Sequence, residues 1–141
     1  MKNCCIRLFT VGLVLAFFIL LSGCYSAREK AYYMDMNNFI TEDATIDNII
    51  YNKEHNYIVL WLSGIDPSYQ SSAFIIRCEN VTLAIDNGFF DKVRVGDTIT
   101  YTSAPGYFGN GYFMPIVGIS TKDTKILDTE IGYQNLMNSY K

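Results

Sequence analysis

Few side chains in this sequence could act as nucleophiles or general bases. The chain has 1 histidine and 4 cysteines, and a cysteine–histidine pair is one way to activate a thiolate. His55 lies in the polar stretch Asn52–Asn56, which is typical of a hairpin turn. Cys78 ends the apolar run AFIIRC, a predicted strand in which we expect a buried, inert thiol. We therefore do not expect these two residues to form a catalytic pair.

Three aspartates, Asp86, Asp91 and Asp97, lie in or near predicted turns. Two carboxyl groups about 5–10 Å apart across a groove can hydrolyse a glycosidic bond, so an envelope hydrolase is the enzymatic alternative. The turn Asp86-Asn87-Gly88 followed by Asp91 offers oxygen ligands, but it lacks the acidic ladder and distal glutamate of an EF-hand. We expect no metal, no cofactor and no catalytic residue.

The N-terminal segment has the layout of a secretory signal. Lys2 and Arg7 come before or at the start of an apolar run, LFTVGLVLAFFILL, and no acidic residue precedes Glu29. The run covers residues 8–21, which is 14 residues. As a helix it would span roughly 21 Å, short of the roughly 30 Å of a bilayer core. Its length instead matches the apolar region of a signal peptide.

The four residues Leu21-Ser22-Gly23-Cys24 end this run and resemble the lipobox of bacterial lipoprotein precursors. Ser22 and Gly23 are small enough for a peptidase cleft, and Cys24 has a thiol that can carry diacylglycerol. The resemblance implies cleavage between Gly23 and Cys24 and acylation of the Cys24 thiol, with the new amino group as a second acylation point. Two acyl chains, such as palmitate, hold a protein stably on a membrane. An uncleaved anchor and an ordinary secretion signal are the alternatives.

The resemblance also implies a signal peptide (1–23) and a location at the outer face of the cell membrane, or at the outer membrane of a diderm host. Residues 25–44 mix polar and apolar side chains without strong periodicity, so we predict a tether (24–44) followed by a β-barrel-like domain (45–141). Cleavage removes 23 of 141 residues, with Lys2 and Arg7, and leaves 118 residues with 9 basic and 14 acidic side chains. This acidic balance argues against nucleic-acid binding. Cys78 would be the one thiol left without lipid, so no internal disulfide is expected. We also expect a monomer.

From residue 45 onward, short β-type runs alternate with turn signals. A barrel leaves no free sheet edge, which suits a chain rich in β-branched and aromatic residues. We predict a mainly β fold, a small closed or partly closed barrel (OB-like) of five to six strands with a short C-terminal helix; a sandwich is the second choice. The predicted strands are Ile46–Tyr51, Tyr57–Leu62, Ala73–Cys78, Val81–Ile85, Thr98–Thr102 and Tyr112–Ser120, and the helix begins at Asp128 or Thr129.

Two stretches in the second half of the domain agree with this class. Lys92–Tyr101, KVRVGDTITY, resembles the Gly-Asp turn common in such barrels. Val93–Gly118, which contains GDTITYTSAPGYFGNGYFMPIVG, resembles small uncharacterised lipoproteins of low-GC Gram-positive bacteria. That likeness implies the fold and the location and carries no known activity.

The connection before the last predicted strand is rich in aromatic residues. Residues 107–113, YFGNGYF, place four aromatic rings among glycines. Exposed rings offer a large contact area with few rotatable bonds, so Tyr107, Phe108 and Tyr112 are candidate ligand-binding residues. The alternative is that Phe108 and Phe113 fill the barrel while the tyrosines surround its rim.

These patterns together predict a membrane-anchored surface lipoprotein without enzymatic activity. Its expected role is to bind an envelope component, a partner protein or a small ligand, and both a glycan and an envelope protein are open as partners. An envelope hydrolase that uses turn carboxylates and an immunity-type lipoprotein are the alternatives.

The lipid anchor is tested by Cys24→Ala. Without the thiol there is no acylation site, so we expect the protein to leave the membrane fraction and to lose the mass of its acyl chains. Cell fractionation and intact-mass analysis measure both. Membrane retention and mass that match those of the unsubstituted protein would contradict the anchor.

Overall fold

The computed structural model describes residues 27–105 and 113–141. A helix, α1, covers residues 27–34 and is followed by a 3-10 turn, Met36–Asn38. Six strands and three further helices follow. In chain order they are β1 (Ile40–Asn52), β2 (Tyr57–Ser63), β3 (Ala73–Arg77), α2 (Glu79–Asp86), α3 (Phe89–Lys92), β4 (Thr98–Ser103), β5 (Phe113–Ser120), β6 (Lys125–Leu127) and α4 (Thr129–Asn138).

Five of the strands close into a barrel in the order β1-β2-β3-β5-β4, and β4 pairs back with β1. The 13-residue strand β1 pairs with a different strand along each half of its length. Its first half pairs with β4 and its second half pairs with β2. A shift in register between Ile46 and Asn48 separates the two halves. The β3–β5 pairing is parallel and the others are antiparallel. The predicted OB-like barrel with a short C-terminal helix is confirmed, and β6 lies outside the barrel, beside β5.

The barrel interior is filled by alternate residues of each strand. On β2 these are Ile58, Leu60 and Leu62, all buried in the main core. Phe74 of β3 and Tyr101 of β4 meet edge to face at 5.1 Å between ring centroids. Because each fully buried side chain of this size contributes roughly 1.5–3 kcal/mol, the alternation sets which face of each strand points inward.

The predicted strand Val81–Ile85 is wrong, because these residues belong to helix α2. Val81 and Ala84, three residues apart, are both fully buried and pack with Phe89 of α3 against the main core. That spacing is the period of a helix face. The short apolar run VTLAI fits either structure locally, and packing against the barrel core selects the helix.

The segment predicted as a tether is structured from residue 27 onward. Ile40–Asp43 already pair with β4, so the boundary predicted at residue 45 falls inside β1. Tyr33 of α1 is buried beside Val117 of β5 and Leu136 of α4 in a second core cluster. The Tyr32 hydroxyl donates to the Pro105 carbonyl at 2.7 Å. Residues 27–39 are therefore part of the folded domain.

Helix α4 lies unusually close to β5 at Gly132. A Cβ built on Gly132 would overlap the carbonyl oxygen of Val117 and lie 2.8 Å from its carbonyl carbon. Asn80 of α2 is buried there, donates to the Gly132 carbonyl at 3.0 Å and accepts from the Asn135 amide at 2.8 Å. The sequence suggests that Gly132 weakens the helix, whereas the structure uses its missing side chain to let the helix touch the barrel.

Gly132→Ala should destabilise the protein, although glycine to alanine usually favours a helix. The added methyl group has no space against a strand backbone, and overpacking of this kind costs about 1–3 kcal/mol. Gln134→Ala is the matched control, because Gln134 is an exposed residue of the same helix. Urea unfolding measures both variants. If Gly132→Ala is as stable as the control, the close packing of α4 on β5 is wrong.

Candidate functional site

The residues predicted for lipidation, cleavage and ligand binding lie outside the described residues. These are Gly23, Cys24, Tyr107, Phe108 and Tyr112. Their roles stay predictions. Phe113, the next residue of the aromatic run, begins β5 and is 60% exposed, so it does not fill the barrel.

The outer face of β2 is apolar, unlike the usual outer face of a small barrel. Because side chains alternate along a strand, Tyr57, Val59 and Trp61 point away from the interior that Ile58 and Leu60 occupy. Val59 is in register with Ile50 of β1 on one side and with Ile75 of β3 on the other. Ile75 in turn is in register with Pro115 of β5. An apolar row thus crosses four neighbouring strands on the outside of the barrel.

A depression of about 420 Å³ lies on this outer face, and we call it the apolar groove. Its surface is mostly carbon, and no charged side chain lines it. The polar groups at its margin include the Asn52 amide, which donates to the Tyr57 hydroxyl at 3.2 Å. The lining residues are Ile50, Tyr51, Asn52, Tyr57, Val59, Trp61, Ser71, Ala73 and Phe113.

A second depression of about 380 Å³ lies between β3, β5 and α4. Arg77, Cys78 and Glu79 line it, together with Ile75 and Pro115 of the apolar row. Its walls are more polar than those of the apolar groove. The two depressions are neighbours on the outside of β3, since Val59 and Ile75 are paired in register.

Cys78 is exposed, and the buried thiol expected at this position is wrong. It follows the last residue of β3 and has a positive φ of 45°, so the strand stops before it and its side chain leaves the alternation. Asn56 also has a positive φ, of 49°, and lies opposite Cys78. The Cys78 backbone N–H donates to the Asn56 backbone carbonyl at 2.8 Å, and the Asn56 side-chain amide donates to the Cys78 backbone carbonyl at 3.1 Å. Cys78 combines its positive φ with a ψ of −111°, a sparsely populated backbone conformation that costs about 1–3 kcal/mol.

His55 lies in the exposed β1–β2 turn, as predicted. Its ring stacks parallel to Tyr57 with 6.5 Å between centroids, and its backbone N–H donates to the Asn52 side chain at 2.9 Å. His55 therefore stands at the margin of the apolar groove and does not line it.

The three candidate aspartates are distributed over different elements. Asp86 ends α2 and Asp91 belongs to α3, and both are exposed. Asp97 accepts from the Arg94 backbone N–H at 2.8 Å within the turn before β4. None of them lines either depression. Within residues 27–105 and 113–141, no three His, Cys, Asp or Glu side chains are grouped to hold a metal ion.

The shifted pKa values belong to structural positions. Lys125 donates to Asp128 at 2.8 Å and, together with the Ile131 backbone N–H, lowers the pKa of this carboxyl, which caps α4. Burial, and next the nearby Glu42 carboxylate, raise the pKa of Tyr101. Neither group lines the apolar groove.

Comparison with protein-family models, with curated proteins and with solved structures finds no match. Among the described residues, no helix combines the length and the apolar character needed to cross a bilayer.

The residues that line the apolar groove were missed in the sequence analysis, although one signal marks them. The run YIVLWL of β2 is apolar at every position. A strand of a small isolated barrel needs only alternate apolar residues. An apolar residue at every position therefore indicates an outer face that is covered or that binds something.

The position of Cys78 is tested with a maleimide dye on the mature chain carrying Cys24→Ser. We expect the dye to label Cys78 completely in the folded protein, because the thiol is exposed. The labelling rate should be close to the rate for the same protein unfolded in denaturant. The double variant Cys24→Ser/Cys78→Ser is the control and should not react. A thiol that reacts only after unfolding would contradict the placement of Cys78.

Proposed function

We propose that this protein is a lipid-anchored, non-enzymatic binding module on the outside of the cell membrane. In this proposal the apolar groove holds a neutral glycan of the envelope. The observation that carries the proposal is the outer face of β2, where Trp61 and Tyr57 share an uncharged depression with Ile50 and Phe113.

The shape and chemistry of the groove support a ring-bearing ligand. Aromatic rings bring a large apolar area with few rotatable bonds, and the carbon-bound hydrogens of a sugar ring can stack on them. Trp61 and Phe113 are both solvent-accessible, while Asn52 and Ser71 can exchange hydrogen bonds with sugar hydroxyls. The 420 Å³ of the depression is within the range of ordinary small-ligand sites.

The same face of OB-type barrels, around strands 2 and 3, is used for both oligosaccharides and oligonucleotides. Charge distinguishes the two ligand classes here. A groove for nucleic acid needs lysines and arginines along the phosphates, whereas no basic side chain lines the apolar groove and the whole chain has a formal charge of −3. A neutral ligand is therefore the better fit.

The proposed location of the protein, outside the cell membrane, is based on the N-terminal sequence. The apolar run and Leu21-Ser22-Gly23-Cys24 support export and acylation. An anchored domain meets a high local concentration of wall polymer, so that even weak stacking contacts become useful for binding.

Trp61 is the one tryptophan of the chain and therefore reports on the groove directly. We expect its emission to shift and saturate on titration with neutral wall oligosaccharides. Ile50→Ala should weaken binding about fivefold, since losing roughly 1 kcal/mol of apolar contact changes Kd by that factor. Ile131→Ala is the matched control, because Ile50 and Ile131 are each 48% exposed and Ile131 lies on α4, away from the groove.

Three results would contradict the proposal. The first is an emission spectrum that does not change with any neutral oligosaccharide, and the second is an equal loss of binding in Ile50→Ala and Ile131→Ala. The third is cleavage of the oligosaccharide during the titration, seen by mass spectrometry, because the proposal requires the ligand to be recovered intact.

A further inference from the structure

The N-terminal helix is attached to the outside of β5, where Tyr33 packs with Val117 and with Leu136 of α4. Lys30 of α1 donates to the Tyr140 carbonyl at 3.4 Å, and the Tyr133 hydroxyl donates to the Met34 carbonyl at 3.4 Å. Together with buried Tyr33, these contacts hold α1 on the C-terminal helix region from Lys30 to Met34. The C-terminal half of the helix is thus fixed to the domain.

Very little chain separates this fixed helix from the predicted lipid-bearing residue. Cys24 is three Cα–Cα steps from residue 27, and three steps of about 3.8 Å reach at most roughly 11 Å. We infer that the domain rests directly on the bilayer, with the outer side of α1 and the following residues, above all Met34 and Met36, in contact with lipid. This inference depends on the acylation of Cys24 in the proposed function.

The outer side of this segment has the chemistry of a membrane-contacting surface. Met34 is 61% exposed and Met36 is 51% exposed, and exposed thioether side chains of this size are apolar and adaptable. Ala27 and Ala31 are also exposed on α1 and carry no charge. The segment therefore presents apolar groups at the place where the anchor would bring lipid.

The charged side chains around the attachment point have both signs. Arg28 is exposed on α1, and Lys30 is near Lys141 because it bonds to the neighbouring Tyr140 carbonyl. Each basic residue near an anionic surface contributes about 1 kcal/mol of attraction. Glu29 in the same turn of α1 and exposed Asp35 between Met34 and Met36 oppose this attraction. The inference therefore depends on the short connection and the exposed methionines, and not on charge.

The strand order places β2, which carries Trp61, two strands away from the wall that the helices cover. In the closed order β1-β2-β3-β5-β4, β3 lies between β2 and β5 and β1 lies between β2 and β4, although Phe113 and Pro115 extend the apolar surface onto β5. The helices α1 and α4 cover that wall through Val117 of β5 and Ala104 after β4. A domain resting on α1 therefore directs Trp61 of β2 outward, toward the wall polymer.

Tryptophan quenching by brominated lipids tests this orientation in the full acylated protein reconstituted into vesicles that contain anionic lipid. The variant Met34→Trp/Trp61→Phe carries a single tryptophan at the proposed contact. We expect its emission to be strongly quenched, because the bromine atoms act only at close range. The natural Trp61 is the matched control, and its quenching should be several-fold weaker.

A linker insertion separates the effect of the short connection from that of the anchor. About 20 Gly/Ser residues placed between Ser26 and Ala27 add roughly 25 Å of mean reach. We expect acylation to continue and quenching at position 34 to fall to the level of Trp61. If quenching at position 34 is unchanged by the insertion, the short connection does not hold the domain on the bilayer and the inference is wrong.

The failures of the two proposals are distinguishable. A native protein without acyl chains, seen by intact-mass analysis, contradicts the anchored module itself. An acylated protein whose position 34 is quenched no more than Trp61 keeps the anchor and contradicts the orientation.

Discussion

The double use of β1 is the constraint on which the rest of the structure depends. A closed sheet leaves no free edge, so each of its strands pairs on both sides. In this barrel β1 does so along different parts of its length. β1 achieves this with 13 residues and a register shift between Ile46 and Asn48, where the strand changes direction. Register irregularities of this kind bend a strand and increase its twist. The parallel β3–β5 pairing then completes the barrel, and three of its residue pairs lie within the described residues.

Closure also determines what the outer surface can do. Once Ile58, Leu60 and Leu62 fill the interior, the intervening residues of β2 must face outward, whatever their hydrophobicity. Apolar residues at these outer positions do not contribute to the main core, and an exposed apolar surface has a solubility cost. The proposed glycan groove gives this surface a use. The neighbouring depression at Cys78 is more polar and adjoins it through the pair Val59–Ile75.

The helices α1 and α4 cover the barrel wall formed by β4 and β5, and α4 approaches its backbone very closely. Gly132 lets α4 lie directly on the β5 backbone, and Gly118 of β5 leaves space for Thr102 and Thr129. Tyr33 and Phe39 of the N-terminal segment pack in one cluster with Tyr133 of α4, and the Phe39 and Tyr133 rings meet edge to face. The N-terminal segment is therefore held by tertiary contacts, and the barrel presents one wall to its own N terminus and another to solvent.

Features that depend on neighbours within a few residues could be predicted from the sequence. It located most of β2, β3, β4 and β5, the exposed turn at His55, the helix that Asp128 caps, and the apolar run before Cys24. Tertiary structure decided the others: the helix at Val81, the exposure of Cys78 and the close packing of Gly132. Strand alternation and helix capping depend on residues that are a few positions apart in the chain. Burial depends on contacts with residues that are distant in sequence, as Val117 is from Gly132.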